Sequence, residues 1–241
     1  MSKPFKTFFN WSTGKDSALA LYHTLQDPEY SVQSLFTTVN AFHNRVSMHG
    51  LRRELLHAQI EQLKIPCTTL ELPENPDMTE YNKLMNQSLK TYQQNHYTHT
   101  VFGDIFLEEL RKYREEKLAS LHINAHFPLW KRNTRDLMLE FIRLGFKAIV
   151  VTVNAALLDK SFAGREIDES FLNDLPDNVD PCGENGEFHT FCFAGPIFEN
   201  EILFEKGEIV YREYRAAEDS PEDDICTNES AAFWYCDLLP A

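Results

Sequence analysis

Apolar positions in the first 155 residues follow two alternating rhythms. Short runs at 5–11, 32–39 (VQSLFTTV), 67–72 (CTTLEL), 99–103 (HTVFG) and 148–153 (AIVVTV) have the length and composition of buried strands. Between them lie 15–26, 51–64, 78–95, 106–121 and 134–144, where apolar residues return at helical spacing. Such alternation predicts an α/β fold, a Rossmann-like parallel sheet with helices on both faces. Ligands of such sheets sit at the carboxyl ends of the strands, near the point where strand order reverses. The turns STGKDS, NAFHNR, GDI and NAALLD follow those ends and are expected along one rim. After residue 155 the rhythm breaks. LDKSFAGREIDESFLNDL reads as short helices and loops, and ILFEKGEIVYREYR as a hairpin turning at Lys206–Gly207. The expected division is an α/β domain over 1–154 and a smaller C-terminal α+β subdomain over 155–241, with no internal repeats.

Composition narrows this picture. The chain has 241 residues, 43% of them hydrophobic, including 18 Phe, enough for a full core. Its formal charge of −14 argues against a nucleic-acid partner held by nonspecific charge. Half of that charge lies in the tail, where Glu218, Asp219, Glu222, Asp223, Asp224, Glu229 and Asp237 meet no Lys or Arg. Residues 216–224 (AAEDSPEDD) are expected to be a mobile linker. The apolar AAFWYCDLLP that follows is expected to dock, either on its own domain or on a second subunit of a homo-oligomer. Five scattered Cys without a C-x-x-C give no zinc knuckle or dithiol site and suit a reducing cytoplasm. MSKPFKTFF has no leader-like apolar region, and no apolar run approaches 18 residues, so no membrane span is expected.

Chemistry enters at FFNWSTGKDSALALYH, residues 8–23. A buried strand turns into a helix at Ser12-Thr13-Gly14-Lys15-Asp16-Ser17. Helix-start N–H groups, the Lys15 ammonium and the hydroxyls of Ser12 and Ser17 all favour an anion there. It is not a Walker A loop, because Phe9 stands where the first Gly belongs and Asp16 where the Mg²⁺-binding hydroxyl belongs. A carboxylate beside phosphates makes sense when Mg²⁺ lies between them, so Asp16 is the candidate metal ligand. The plain alternative is a helix after a buried strand, with Lys15 and Asp16 solvated.

A second constellation is Gly183-Glu184-Asn185-Gly186-Glu187-Phe188-His189-Thr190. Two Gly imply a sharp bend, and Glu184 and Glu187 are spaced to share one side of a turn. Such acids suit an amine or Mg²⁺; the plain alternative is a Gly turn whose acids cap a helix. His23, His57 and His96 read as ordinary helix residues, and RKYREE (111–116) as a solvated face.

Together these stretches resemble a known family. Residues 12–17 resemble the S-G-G-K-D-S loop of the PP-loop ATP pyrophosphatases, which cleave ATP between the α- and β-phosphates. The whole is similar to the diphthine–ammonia ligase family, N-type PP-loop enzymes of the adenine nucleotide α-hydrolase-like superfamily. His49-Gly50, Gly103-Asp104, PLW (128–130), LGFKAIVVTVNAALLDKSFAGREID (144–168) and GENGEFHTF (183–191) follow in the family's order. The resemblance covers residues 5–212 and implies a HUP-type sheet. Thr13 departs from the family's Gly; a β-branched residue disfavours positive φ, so ordinary dihedrals are expected there. Asn185 and His189 replace a Gly and an acid.

The resemblance implies an ATP- and Mg²⁺-dependent ligase. It adenylates a carboxylate, releases pyrophosphate, and lets ammonia displace AMP. Ser12, Thr13, Gly14, Lys15, Asp16 and Ser17 would hold the phosphates and Mg²⁺, with Asp104 a weaker metal candidate. Val39 and Gly103 would flank adenine and ribose. Gly183, Glu184, Asn185, Gly186, Glu187 and Thr190 would face the acceptor or ammonia, with Lys15, Asp16 and Glu187 catalytic and Glu187 the first candidate base. In a eukaryotic or archaeal chain the acceptor would be diphthine on the translocation elongation factor. No glutaminase triad is evident, so free ammonium is the expected donor. Two readings stand beside this one: a PP-loop tRNA-modifying enzyme, against which the charge and absent C-x-x-C argue, and a nucleotide-binding sensor without turnover.

Overall fold

The computed structural model describes residues 3–47, 49–214 and 231–241. The first sheet contains β1 (Phe5–Asn10), β2 (Tyr30–Asn40), β3 (Arg45–Val46), β4 (Cys67–Leu72), β5 (His99–Val101) and β6 (Asn124–His126). Its parallel strands lie in the order β4-β2-β1-β5-β6, and the short β3 runs antiparallel to the end of β2. The helices are α1 (Lys15–Gln26), α2 (Arg53–Leu63), α3 (Met78–Gln94), α4 (Glu108–Ala119) and α5 (Thr134–Arg143). Successive side chains of β1 divide them between two layers. Phe8 packs with Leu89 and Tyr92 of α3 and Leu118 of α4. Phe9 joins Leu21 of α1, Leu56 of α2 and Phe141 of α5. This is the expected α/β architecture with both faces covered.

Strand order runs outward from β1 in both directions. The first crossovers build β2 and then β4 on one side; the later ones build β5 and then β6 on the other. Order therefore reverses between β1 and β5, and the turns after these two strands open into the same crevice.

The C-terminal part forms a second, antiparallel sheet in the order β8-β7-β10-β9, from β7 (Lys147–Asn154), β8 (Phe188–Ala194), β9 (Phe204–Tyr214) and β10 (Ala231–Pro240). A single 3-10 turn (Lys160–Phe162) and α6 (Glu169–Asp174) fill the connection between β7 and β8. Two expectations need correction. The run at 148–153 does not extend the parallel sheet; it is β7, and it opens the second one. A strand buried on both faces reads as a continuous apolar run in either setting, so its pattern does not select its partners. Nor does the chain turn at Lys206–Gly207. Strand β9 runs straight through, and Gly207 lies opposite Asp237, where the β10 register shifts between Cys236 and Leu238. A Cβ on Gly207 would stand 3.2 Å from the Asp237 carbonyl oxygen. This glycine serves a bulge, not a turn.

The apolar tail docks on its own chain, as the strand between β7 and β9. The acidic stretch 216–224 lies outside the described residues. No helix among the described residues is long and apolar enough to cross a membrane. The second sheet shares a core with the α1–α2 layer of the first. Trp11 meets Phe198 edge-on at 6.4 Å, and the Cys192 amide of β8 donates to the Thr13 carbonyl at 2.9 Å.

Candidate active site

The loop after β1 is built for close approach. Gly14 is the N-cap of α1, and no side chain caps that helix end. A Cβ on Gly14 would lie 3.1 Å from His49 Nε2 and 3.2 Å from the Thr190 carbonyl oxygen. The Lys15 amide donates to Thr190 Oγ1 at 3.0 Å. Two stretches 175 residues apart thus touch directly.

Thr13 corrects an expectation. It takes φ of 75°, in the left-handed region, and its buried hydroxyl has no hydrogen-bond partner among the described residues. Its carbonyl explains the conformation. It accepts from Gln59 Nε2 at 2.9 Å and from the Cys192 amide, while Trp11 Nε1 fixes Gln59 by donating to Oε1 at 2.9 Å. Tertiary contacts override the local preference, at a cost of about 1–3 kcal/mol. Gln59 was not singled out from the sequence; it reads there as one more helix residue.

Lys15 is almost fully buried. Its ammonium donates to Asp16 at 2.7 and 2.9 Å and to the Cys182 carbonyl. Burial pulls its pKa down, but Asp16, Cys182 and Glu184 outweigh that, so the ammonium is held above its ordinary value. Ser12 donates to Ser17 Oγ at 3.1 Å, and Ser17 to the Gly14 carbonyl at 2.9 Å.

Gly103 and Asp104 follow β5 at the order reversal. A Cβ on Gly103 would stand 3.1 Å from the Ser17 amide nitrogen and 3.2 Å from the Asp16 carbonyl carbon. Burial and the neighbouring Asp16 raise the Asp104 pKa against the pull of Arg114, whose Nη1 lies 3.1 Å from Oδ2. Arg114 came from a stretch read as a solvated face; its guanidinium also covers the Phe102 ring at 4.3 Å.

The Gly/Glu segment is a tight turn leading into β8. Gly183 has φ of 68°, and a Cβ there would approach the Phe188 carbonyl oxygen to 2.9 Å. Asp180 Oδ2 accepts from the amides of Cys182 and Glu184 at 3.0 and 3.1 Å. The two glutamates divide their work in a way the spacing did not reveal. Glu187 is buried and points into its own turn, accepting from the Asp180 amide at 2.9 Å, the Asn185 amide at 2.9 Å and Asn185 Nδ2 at 3.0 Å. With three donors on its two oxygens it holds the turn, and the role of first base is not one its geometry favours. Glu184 reaches across the crevice instead and accepts from the Ile105 amide at 2.7 Å. Burial, then Asp16 and Asp104, raise its pKa to about 7, against the Ile105 hydrogen bond and Lys15. Val39 stands apart. It is fully buried, its backbone engaged by β3 on one side and β4 on the other, and it offers no surface to a nucleotide.

One wall is built from His49 and His189, which the sequence marked as motif positions without a role in the site. The rings of His49 and His189 lie 4.8 Å apart beside Gly14. Burial pulls their pKa values down to about 3 and about 4, with His189 and Lys15 pushing the same way on His49, and Lys15 on His189. Both are neutral near pH 7.

The residues fit a phosphate chain: an uncapped helix start, an orphaned buried hydroxyl at Thr13, a buried ammonium, and two glycines where a side chain would intrude. They also fit Mg²⁺ held jointly with phosphates. Asp16 and Asp104 are hard oxygen donors on neighbouring turns, and among the described residues no group of three His, Cys, Asp or Glu is placed to hold a metal ion unaided.

Two family profiles match the chain: Diphthamide synthase N-terminal domain over residues 5–120 and Diphthamide synthase C-terminal domain over 133–219. The chain belongs to the diphthine–ammonia ligase family. It is similar to the diphthine–ammonia ligases of Bos taurus, 33% identical over 110 residues, and Homo sapiens, 32% over 110; each match covers 43% of this chain and 41% of the relative. The protein of that name from Danio rerio is 30% identical over 133 residues, 52% of this chain and 51% of the relative. The matches thus span between two fifths and half the length of these relatives. The site of this diphthine–ammonia ligase family member takes its loop from one matched domain and its Gly/Glu turn from the other.

Gly103→Ala tests the close approach. The methyl would press on α1 backbone, which cannot swing aside as a side chain can. ATP turnover is expected to fall at least about tenfold, with overpacking costing about 1–3 kcal/mol of stability. Pyrophosphate release and a denaturant midpoint measure the two; normal turnover would contradict the packing argument.

Proposed function

We propose that this chain is an ATP-dependent ligase that adenylates a carboxylate and transfers ammonia to it; its relatives are named as ligases of diphthine and ammonia. The hydrogen bond from Lys15 N to Thr190 Oγ1 carries the reading, because it sets the phosphate loop and the acidic Gly/Glu turn on one wall. A carboxylate does not condense with ammonia unaided, since oxide is too poor a leaving group. Attack on the α-phosphorus makes AMP the leaving group instead.

Preorganised charge does this work better than a protein nucleophile. Ser12, Gly14, Lys15 and Ser17 hold the departing pyrophosphate. An incoming triphosphate competes with Asp16 for the Lys15 ammonium, and the carboxylate so released, with Asp104, can hold Mg²⁺. Bound there, the cation would neutralise charge on the phosphates. Glu184, bonded to the Ile105 amide, takes over from Glu187 as the acid facing ammonia, while Glu187 keeps the turn in shape. The proposed acceptor is diphthine on the translocation elongation factor, with free ammonium as donor and the cytoplasm as the compartment.

The test supplies ATP, Mg²⁺, ammonium and diphthine-bearing elongation factor. AMP, pyrophosphate and amide should form in equal amounts. Glu184→Gln should lower amide formation by about 10²-fold, within the range of a lost proton-transfer group, and leave ATP affinity within about twofold. Nucleotide binding without pyrophosphate release would instead mark a sensor, and loss of ATP binding in Glu184→Gln would put this acid in the nucleotide subsite.

A further inference from the structure

The loop that carries His49 leaves β3, passes Gly50 and enters α2. Within it the Val46 amide donates to the Leu51 carbonyl, the Gly50 amide to the Val46 carbonyl and the His49 amide to the Ser47 carbonyl, at 2.8, 3.0 and 2.8 Å. The Ser47 amide donates to the Thr38 carbonyl of β2 at 3.1 Å, and Arg45 and Arg52 bridge the two ends. Further constraints come from β7 and β10. Thr152 Oγ1 donates to the His49 carbonyl at 3.3 Å. Gly50 sits at φ of 64°, and a Cβ there would meet the Tyr235 ring edge at 3.6 Å.

Asp237 supplies the strongest constraint. Its Oδ1 accepts from Arg45 Nη1 at 3.0 Å and from Arg52 Nε at 3.1 Å, and its Oδ2 from Arg52 Nη2 at 2.6 Å. Arg45 and Arg52 stand at the two ends of the loop. Arg45 Nη1 also donates to the Gly50 carbonyl at 2.6 Å, so one guanidinium ties the loop's tip to the same carboxylate. The two cations hold the Asp237 carboxyl below its ordinary pKa despite burial, so it stays ionised near neutral pH. The side chain is 24% exposed, sheltered enough for a paired, bidentate geometry to hold. Asp237 stands at a bulge in the β9–β10 pair, where it alone faces Gly207 and Glu208 of β9. A bulge re-aims side chains, and this one accompanies a carboxylate directed at another sheet's loop.

What the loop delivers is His49. Its Nε2 lies against Gly14, its ring against His189, and Lys15 stands close enough to depress its pKa. We propose that Asp237 is a positioning residue of the active site, clamping the 45–52 loop through Arg45 and Arg52 so that His49 closes on the phosphate loop at Gly14. Strand β10 is then part of the catalytic apparatus although it contributes no group to the crevice. The effect on turnover rests on the ligase reading; the geometric claim does not.

The experiment compares Asp237→Asn with Leu238→Val, a core substitution in the same strand that leaves the carboxylate in place. Asparagine keeps the shape but loses the charge and one acceptor oxygen. In ¹⁵N-labelled protein, with His49 assigned by His49→Gln, the ring contact between His49 and His189 is read by NOE. It should vanish or weaken severalfold in Asp237→Asn and persist in Leu238→Val, even where the latter lowers the melting temperature more. Arg45→Lys keeps a charge but cannot span Asp237 and the Gly50 carbonyl together; it should weaken the contact in the same direction. With ATP as substrate, Asp237→Asn should reduce kcat for pyrophosphate release about tenfold with KM within twofold, and Asp237→Glu should recover part of the loss. An intact His49–His189 contact in both Asp237→Asn and Arg45→Lys would overturn the proposal. Loss of the contact in Asp237→Asn, with a wild-type protein that releases no pyrophosphate, would uphold the clamp and sink the ligase reading instead.

Discussion

Lys15→Met should slow pyrophosphate release by at least about 10²-fold while the chain still folds. Lys15 is the cation beside the uncapped start of α1, buried and already held by three oxygen acceptors. In the proposed reaction phosphate oxygens compete with Asp16 for this ammonium. Losing one preorganised donor to a developing anion costs about 3 kcal/mol of transition-state stabilisation. Met nearly matches the aliphatic stem, so packing against the Phe188 ring, 5.2 Å from the ammonium, is largely kept. A rapid-quench assay and a thermal melt separate the two effects. An unchanged release rate would end the assignment of this loop to phosphate binding.

Glu187→Ala is expected to act on the fold first and on chemistry second. Its carboxylate satisfies the Asp180 amide, the Asn185 amide and the Asn185 side chain, all within one turn. Truncation strands these donors and leaves a void at a buried position. Hydrogen bonds to a charged group contribute about 1.5–3 kcal/mol each, so a loss of about 3 kcal/mol or more follows even with partial relaxation. The denaturant midpoint should fall steeply, and protease cleavage should appear between 180 and 187. Full stability with selective loss of amide formation would return Glu187 to the role of base. Glu184→Gln serves as the contrast, because Glu184 anchors a single amide, that of Ile105.

These two glutamates show how far sequence carries and where it stops. Gly183-Glu184-Asn185-Gly186-Glu187 states plainly that the backbone bends and that two acids sit there. Which acid faces outward depends on Asp180 and Ile105, and neither spacing nor composition encodes that. The parallel sheet was legible because each strand is bracketed by helical periodicity, which leaves few topologies. The second sheet was not. Strands β7, β8 and β10 are apolar on both faces or aromatic-rich, and their partners lie up to about eighty residues away in the chain. Gly207 looked like a turn because Lys-Gly between two extended runs usually is one; the distant Asp237 made it a bulge. Thr13 misled for a related reason. Its own preference is against positive φ, and the Gln59 amide and the Cys192 N–H overrule it. The turn from β1 into α1 with Lys15 at an uncapped helix start was legible because it needs only local residues. His49, His189, Gln59 and Arg114 were not, because each acts through contacts that only the fold creates.

The Lys15–Thr190 bond also has a meaning in time. Once His126 has emerged, a growing chain contains every strand of the parallel sheet and all of their partners. The site cannot be finished then. With the chain to His126 in place, closing the remaining flexible stretch to Thr190 costs about 3.7 kcal/mol of chain entropy, scaling as (3/2)RT ln n. That cost is met when β7, β8 and β10 assemble and bury their apolar faces together. Until then Thr13 has no Cys192 amide to hold it, and its backbone is free to relax to negative φ. An incomplete chain therefore carries the phosphate-loop sequence without the phosphate-loop shape. On that reading the loop takes its final shape only when β8 brings the Cys192 amide to the Thr13 carbonyl.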